Sequence, residues 1–138
     1  MADLAVAVRT YLLAIPAITD IVGQRIYTDI LPQSAALPAV TMDKVSTRHD
    51  HQLSDFAGLA HTRIQFGCFA STRLVANALA EAIRSSGLIV LKGLNSDVDI
   101  RGVRCDDGQR NYVDYPTDGS DEHRYVTTID FIFDYTET

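Results

Sequence analysis

The stretch YVTTIDFIFDYTE (residues 125–137) constrains the fold more than any other part of the chain. Tyr125, Thr127, Ile129, Phe131, Phe133 and Tyr135 share one parity, and Asp130 and Asp134 take the other. A period of two, with aromatic and branched residues on one side, is the pattern of a strand buried on one face. The chain must therefore build a sheet with one covered face, and other segments must supply the cover.

Two segments offer that cover. In STRLVANALAEAIRSSG (71–87), Leu74, Val75, Ala78, Leu79, Ala82 and Ile83 read as an apolar stripe, and Arg73, Asn77, Glu81 and Arg84 as the wet face. Ser71 reads as the N-cap and Gly87 as the stop. Nearer the start, Leu4, Val8, Tyr11, Leu12 and Ile15 follow helical spacing from about Asp3 to Ala14, and Pro16 ends that run. PAITDIVG then reads as one short helical turn closing at Gly23.

Further strands are expected in RIYTDIL (25–31), AVTMDKVST (39–47), HTRIQFGCFA (61–70) and DVDIRGVRC (97–105). In the last, Val98 and Ile100 share a parity that Val103 and Cys105 do not, so a β-bulge is expected near Gly102. PQSAALP (32–38) is a connector, and LIVLKGLNS (88–96) fits no assignment. The order is α-β-β-β-α-β-β. It predicts an α+β fold: an antiparallel sheet of about four to five strands, a mixed sheet being left open, with two main helices packed on one face. Residues 1–138 read as a single domain with long loops at about 47–60 and 106–123.

The chain has no run of about 18 apolar residues, so no membrane span is expected. Asp3 and Arg9 interrupt the N-terminal apolar pattern, which is not the order of a signal peptide, and a cytoplasmic site of synthesis is expected. Cys68 and Cys105 have no CxxC partner and read as buried thiols. Residues 1–96 hold seven acids against eight Lys or Arg, and residues 97–138 hold eleven acids against four Arg, so the net charge of −6 sits in the C-terminal third. That balance argues against a protein that tracks nucleic-acid phosphates, which needs a basic face.

The segment STRHDHQLSDFAGLAH (46–61) carries three of the four histidines: His49, His51 and His61. A metal site is one reading, but structural zinc favours four ligands, often with cysteine, and no cysteine lies near. Catalysis by His and Asp is another; Ser46 and Ser54 are near, but no nucleophile motif surrounds them. The reading favoured here is a partner-contact loop, because long loops in compact domains are usually functional or disordered. No cofactor is expected.

In combination, several motifs resemble the tail-completion, or tail-terminator, family of long-tailed (siphovirus-like) bacteriophages and prophages. They are an N-terminal helix leading into IVGQRIYTDILPQSAALPAV, a polar hairpin with GLAHTRIQFGCFA, the helix STRLVANALAEAIRSS, and an acidic loop with YVDYPTDG before HRYVTTIDFIFDY. The likeness spans about residues 4 to 136, through motif order and spacing. It implies a structural virion protein and no enzyme. The subunit would form a ring, a hexamer, that caps the tail tube, stops its growth and offers the head-joining surface. The implied partners are other copies of the chain, the major tail tube protein and the head-tail connector. Genomic DNA would pass through without specific binding. The implied location is the head-proximal end of the virion tail, assembled in the host cytoplasm. The contact residues expected are Arg48, His49, Asp50 and His51 in the first loop, and Asp106, Asp107, Arg110, Tyr112, Asp114 and Tyr115 in the second. Val126, Asp130, Ile132 and Asp134, on the uncovered sheet face, are expected to form a mixed surface suited to a subunit contact. Rival readings are another neck adaptor, or a small ligand-binding domain or enzyme, which would need a pocket with convergent polar groups.

Overall fold

A computed structural model of the chain describes residues 4–28, 31, 36–51, 56–85, 93–95, 98–114 and 124–136. At 48–51, 56–59, 93–95, 106–108 and 114 it describes the backbone alone. The elements are α1 (Leu4–Leu13), α2 (Pro16–Val22), β1 (Ile26–Thr28), β2 (Ala39–His51), β3 (Phe56–Ala70), α3 (Arg73–Arg84), β4 (Gly93–Asn95), β5 (Val98–Asp114) and β6 (Arg124–Thr136). The strands form one sheet in the order β1-β2-β3-β6-β5-β4. β1 runs parallel to β2 and every other pairing is antiparallel, so the sheet is mixed and the fold α+β.

The alternating strand lies at the centre, as its pattern requires. β6 pairs on one side with β3 and on the other with β5. Ile129, Phe131 and Phe133 are fully buried. Cross-strand register places Phe66 opposite Ile129 and Ile64 opposite Phe131 on one flank, and Val103 opposite Phe133 on the other. Val40 and Met42 extend the same face onto β2. Against it pack Leu4, Ala7, Val8 and Leu12 of α1, Ile18 and Val22 of α2, and Leu79, Ala80 and Ile83 of α3, all in one buried cluster. Each fully buried aliphatic or aromatic side chain contributes roughly 1.5–3 kcal/mol, so this face carries most of the driving force for folding. No single described helix is long and apolar enough to cross a membrane.

Close approach explains one glycine. Gly67 sits opposite Thr41 in the β2–β3 ladder. A Cβ there would meet Thr41 Oγ1 at 2.7 Å and Phe69 Cε1 at 3.0 Å. We expect Gly67→Ala to cost about 1–3 kcal/mol through overpacking. A urea midpoint equal to wild type would contradict it.

The sheet edge at β1 is closed by a side chain. Val40 N–H donates to Arg25 O at 3.0 Å. By alternation the Ile26 carbonyl then faces away from β2, and Arg9 Nε donates to it at 2.8 Å. Capping an outward carbonyl with a charged group is a known way to keep an edge from recruiting another strand.

Four sequence expectations need correction. Residues 47–51 and 56–60, expected in a long loop, belong to β2 and β3, which pair from Ala39↔Phe69 out to His51↔Phe56. The second expected loop is also strand as far as Asp114, after an irregularity between Asp106 and Arg110. In both places a polar sequence reads as loop, yet an antiparallel partner satisfies its backbone groups and holds it extended. The bulge between Ile100 and Gly102 lies where the parity break puts it.

The third correction is to α3. Its N-cap is Thr72, whose Oγ1 accepts from Val75 N–H at 3.3 Å, and its buried residues are Ala76, Leu79, Ala80 and Ile83. Leu74, expected in the core, is 80% exposed. Arg73 and Asn77, expected to be wet, face the sheet. Arg73 Nη1 donates to Val126 O at 2.8 Å, Arg73 Nη2 to Tyr112 O at 2.8 Å, and Thr127 Oγ1 to Asn77 Oδ1 at 2.9 Å. These polar anchors rotate the helix and turn Leu74 outward. The fourth correction is Val126, which is fully buried rather than part of an exposed mixed face. Cys68 is buried in the core, where desolvation pushes its thiol up; Cys105 is only partly buried. Gly87 lies outside the described residues.

Candidate assembly surface

On the sheet face turned from the helices Thr41, Val126 and Thr128 are buried, and the described polar side chains beyond them are partly exposed. The character of that face follows from the off-parity positions. β3 contributes His61, Arg63 and Gln65; β6 contributes Asp130, Ile132 and Asp134; β5 contributes Arg104. Cations and carboxylates on adjacent strands pair laterally. Arg63 Nη1 lies 2.9 Å from Asp130 Oδ2, His61 Nδ1 lies 2.5 Å from Asp134 Oδ1, and Arg104 Nη2 lies 3.4 Å from the same oxygen.

Register puts Arg63 and Arg104 on either side of Ile132. With neighbouring strands ~4.8 Å apart, the two backbones stand ~10 Å from each other. Ser46, His61, Arg63, Arg104 and Ile132 together line a shallow cleft. Its lining holds two guanidiniums, an imidazole, a hydroxyl and one apolar side chain. Asp130 and Asp134 beside it hold these cations in ion pairs. Among the described residues no three His, Cys, Asp or Glu side chains converge to hold a metal ion.

The expected contact residues fall into separate groups. Arg48, His49, Asp50 and His51 end β2, and their side chains lie outside the described residues. Asp106 and Asp107 lie in the irregular part of β5, described as backbone only, with Asp106 opposite Asp130. Arg110 and Tyr112 are exposed on β5, Tyr112 at 46%. Asp114 ends β5, and Tyr115 lies outside the described residues.

Arg48 pairs in register with His61, which faces Asp134 near the C-terminal end of β6. Asp114 pairs with Arg124 at the N-terminal end. β6 has thirteen residues, a length of ~40 Å at ~3.3 Å per residue. The β2–β3 and β5–β6 pairings therefore run out toward opposite ends of one sheet. Two exposed apolar side chains, Leu74 and Tyr112, mark the second end, where Arg73 ties the start of α3 to the Tyr112 carbonyl.

Arg63 and Arg104 are missing from the expected contacts. The signal was present: in HTRIQF the polar residues occupy the parity opposite to Ile64 and Phe66, and such a set belongs to one face.

Comparison with known proteins yields a family and a fold. The family model described as "Tail completion protein gp17" matches residues 6–111, more than half of the 138-residue chain. A chain of the solved structure described as "Virion of native gene transfer agent (GTA) particle" superposes with a TM-score of 0.69 and 17% sequence identity, covering 96% of this chain and 94% of that one. At that identity the likeness establishes the fold alone. No curated protein matches the chain significantly.

Proposed function

The chain belongs to the tail completion protein gp17 family, a family of structural phage tail proteins, and on that premise we propose that it is a tail terminator. In this reading copies of the chain close into a ring, a hexamer, on the last ring of the tail tube. The ring stops tube growth and presents the surface to which the head connector binds. It sits at the head-proximal end of the tail, is assembled in the host cytoplasm, and performs no catalysis. Its partners are other copies of itself, the major tail tube protein and the connector. The genome passes through it without specific contacts, as suits a chain with a net charge of −6.

The observation that carries this reading is that the β2–β3 and β5–β6 pairings run out toward opposite ends of one sheet. A terminator must touch two different layers, and this subunit offers one hairpin to each. The contacts proposed are Arg48, His49, Asp50 and His51 at one end, and Arg110, Tyr112, Asp114 and Tyr115, with Asp106 and Asp107 behind them, at the other. Tyr and Arg are the residue types that dominate interface energetics. The similarity of fold to a chain of a gene transfer agent virion also supports a place within a particle.

The test is to mix purified, gold-labelled protein with tail tubes that lack a cap and image them by negative stain. Label at one tube end, with tube growth halted there, is the expected outcome. Label along the tube wall, or tubes that keep growing in excess protein, would overturn the proposal.

A further inference from the structure

β1 is an outer strand of the sheet, paired with β2 on one side. Tyr27 lies in register with Thr41, and Val40 N–H donates to Arg25 O at 3.0 Å, so Arg25 and Tyr27 turn their backbone groups toward β2. By alternation Ile26 and Thr28 turn theirs outward. The Ile26 N–H folds back and donates to Gln24 O at 2.8 Å. The Ile26 carbonyl is the group that Arg9 Nε covers, also at 2.8 Å. Thr28 is exposed.

We infer that Arg9 is a guard that keeps this edge from pairing with the β1 edge of a second copy. The edge is complementary to itself. About a two-fold axis at Tyr27, an antiparallel partner sets Thr28 of each copy opposite Ile26 of the other. Thr28 N–H of each copy then points at the Ile26 carbonyl of its mate, the atom that Arg9 holds. A second copy is the fitting occupant because the same three residues supply both donor and acceptor, and such a contact is isologous. Val6, 54% exposed, lines the groove beside Ile26, Tyr27 and Thr28 and is apolar surface that a second copy would cover. Two features oppose the pairing. The strand is three residues long, and its outward carbonyl is held by a charged donor; both blunt an edge. Pairing must first break the Arg9 bond, and hydrogen bonds from charged donors are among the stronger ones. An isologous pair is closed and cannot propagate, so the guard leaves each copy free for its other contacts. It acts whether or not those contacts close a ring.

The test is disulfide trapping in the full chain. Tyr27→Cys is the reporter, and Cys105→Ser removes the half-buried thiol; Cys68 is buried. Across the two-fold axis position 27 is a non-hydrogen-bonded antiparallel pair, with Cα atoms ~4.5 Å apart. That lies within the span of about 4.4–6.8 Å that a disulfide bridges. Oxidised glutathione is the oxidant, and linked dimer is read on a non-reducing gel. Adding Arg9→Ala should raise the linked dimer about tenfold or more, the effect of removing one hydrogen bond from a charged donor. Arg9→Met should do the same while keeping the apolar stem of the side chain in place, which covers the case in which Arg9→Ala does not fold. Thr28→Pro, added to either, deletes the outward N–H that an edge strand tolerates losing and should return the dimer to its starting level. Gly67→Ala with Arg9 intact should not raise it, since a loss of stability alone leaves the guard in place. Equal linkage with and without Arg9 would overturn the inference. Linkage that Thr28→Pro leaves unchanged, or that Gly67→Ala reproduces, would overturn it as well.

Discussion

Phe131→Ala is expected to remove roughly 3–5 kcal/mol of stability, the range for truncating a buried phenylalanine. The residue is fully buried on the central strand. Its ring meets Phe66 edge-on, with centroids 5.5 Å apart and planes at 82°, and lies 6.4 Å from Phe133. Ile64 and Cys105 flank it in register. Removing it leaves a cavity bounded by strands that pair on both sides and cannot collapse inward. A domain of this size is typically stable by only ~7–20 kcal/mol, so the loss is a large share of the total. Urea unfolding should show the midpoint falling with little change in slope, which identifies a stability effect rather than an altered unfolded state. Phe131→Leu should recover more than half of the difference. A midpoint for Phe131→Ala within error of wild type would mean that this face is not the core.

The second large effect is expected at Arg73. Its guanidinium donates to Val126 O, to Thr127 Oγ1 at 3.2 Å and to Tyr112 O, and stands over the Tyr125 ring at 5.3 Å. One side chain thus ties the first turn of α3 to two strands. Arg73→Ala should cost about 3 kcal/mol, because hydrogen bonds from charged donors contribute ~1.5–3 kcal/mol each and two of the three acceptors left behind belong to the buried Val126 and Thr127. Arg73→Lys should restore less than half of that, since an ammonium cannot reproduce a planar fork reaching two carbonyls. Leu74→Ser, one residue along, is the control: with Leu74 80% exposed, its thermal midpoint should barely move. The reverse ranking, Leu74 costly and Arg73 neutral, would restore the stripe expected from the sequence.

That helix shows where the sequence was legible and where it was not. Periodicity located α3, and Leu79 and Ile83 are buried as the pattern requires. The rotation about its axis was set by Arg73 and Asn77, whose partners lie 39 to 54 residues away. No local window contains that information. The same limit applies to β2 and β5. Their core-facing residues Val40, Met42, Val98 and Ile100 were readable as alternation, and so was the bulge before Gly102. The continuation of both strands into polar sequence depends on a partner strand and looks like loop when read alone. The assembly surface was partly visible. Asp130, Ile132 and Asp134 fell on the uncovered face by parity, but Arg63 and Arg104 join them only through the pairing of β3 and β5 with β6.

The seam between β3 and β6 has a kinetic consequence. β2 with β3, and β5 with β6, are hairpins whose partners are near in sequence and can zip independently, on a timescale of ~1–10 μs for a simple hairpin. The seam joins residues far apart: His61 with Asp134, Arg63 with Asp130 and Thr62 with Tyr135 are separated by 67 to 73 positions. Closing so long a loop loses chain entropy before any contact rewards it, and contacts of this separation slow folding. On loop-closure grounds the two hairpins are expected to form first and the β3–β6 seam last, which a slower folding phase for seam variants such as Arg63→Ala would show. In that order each hairpin would expose an unmatched strand until the seam closes, and an exposed strand edge invites pairing with another chain.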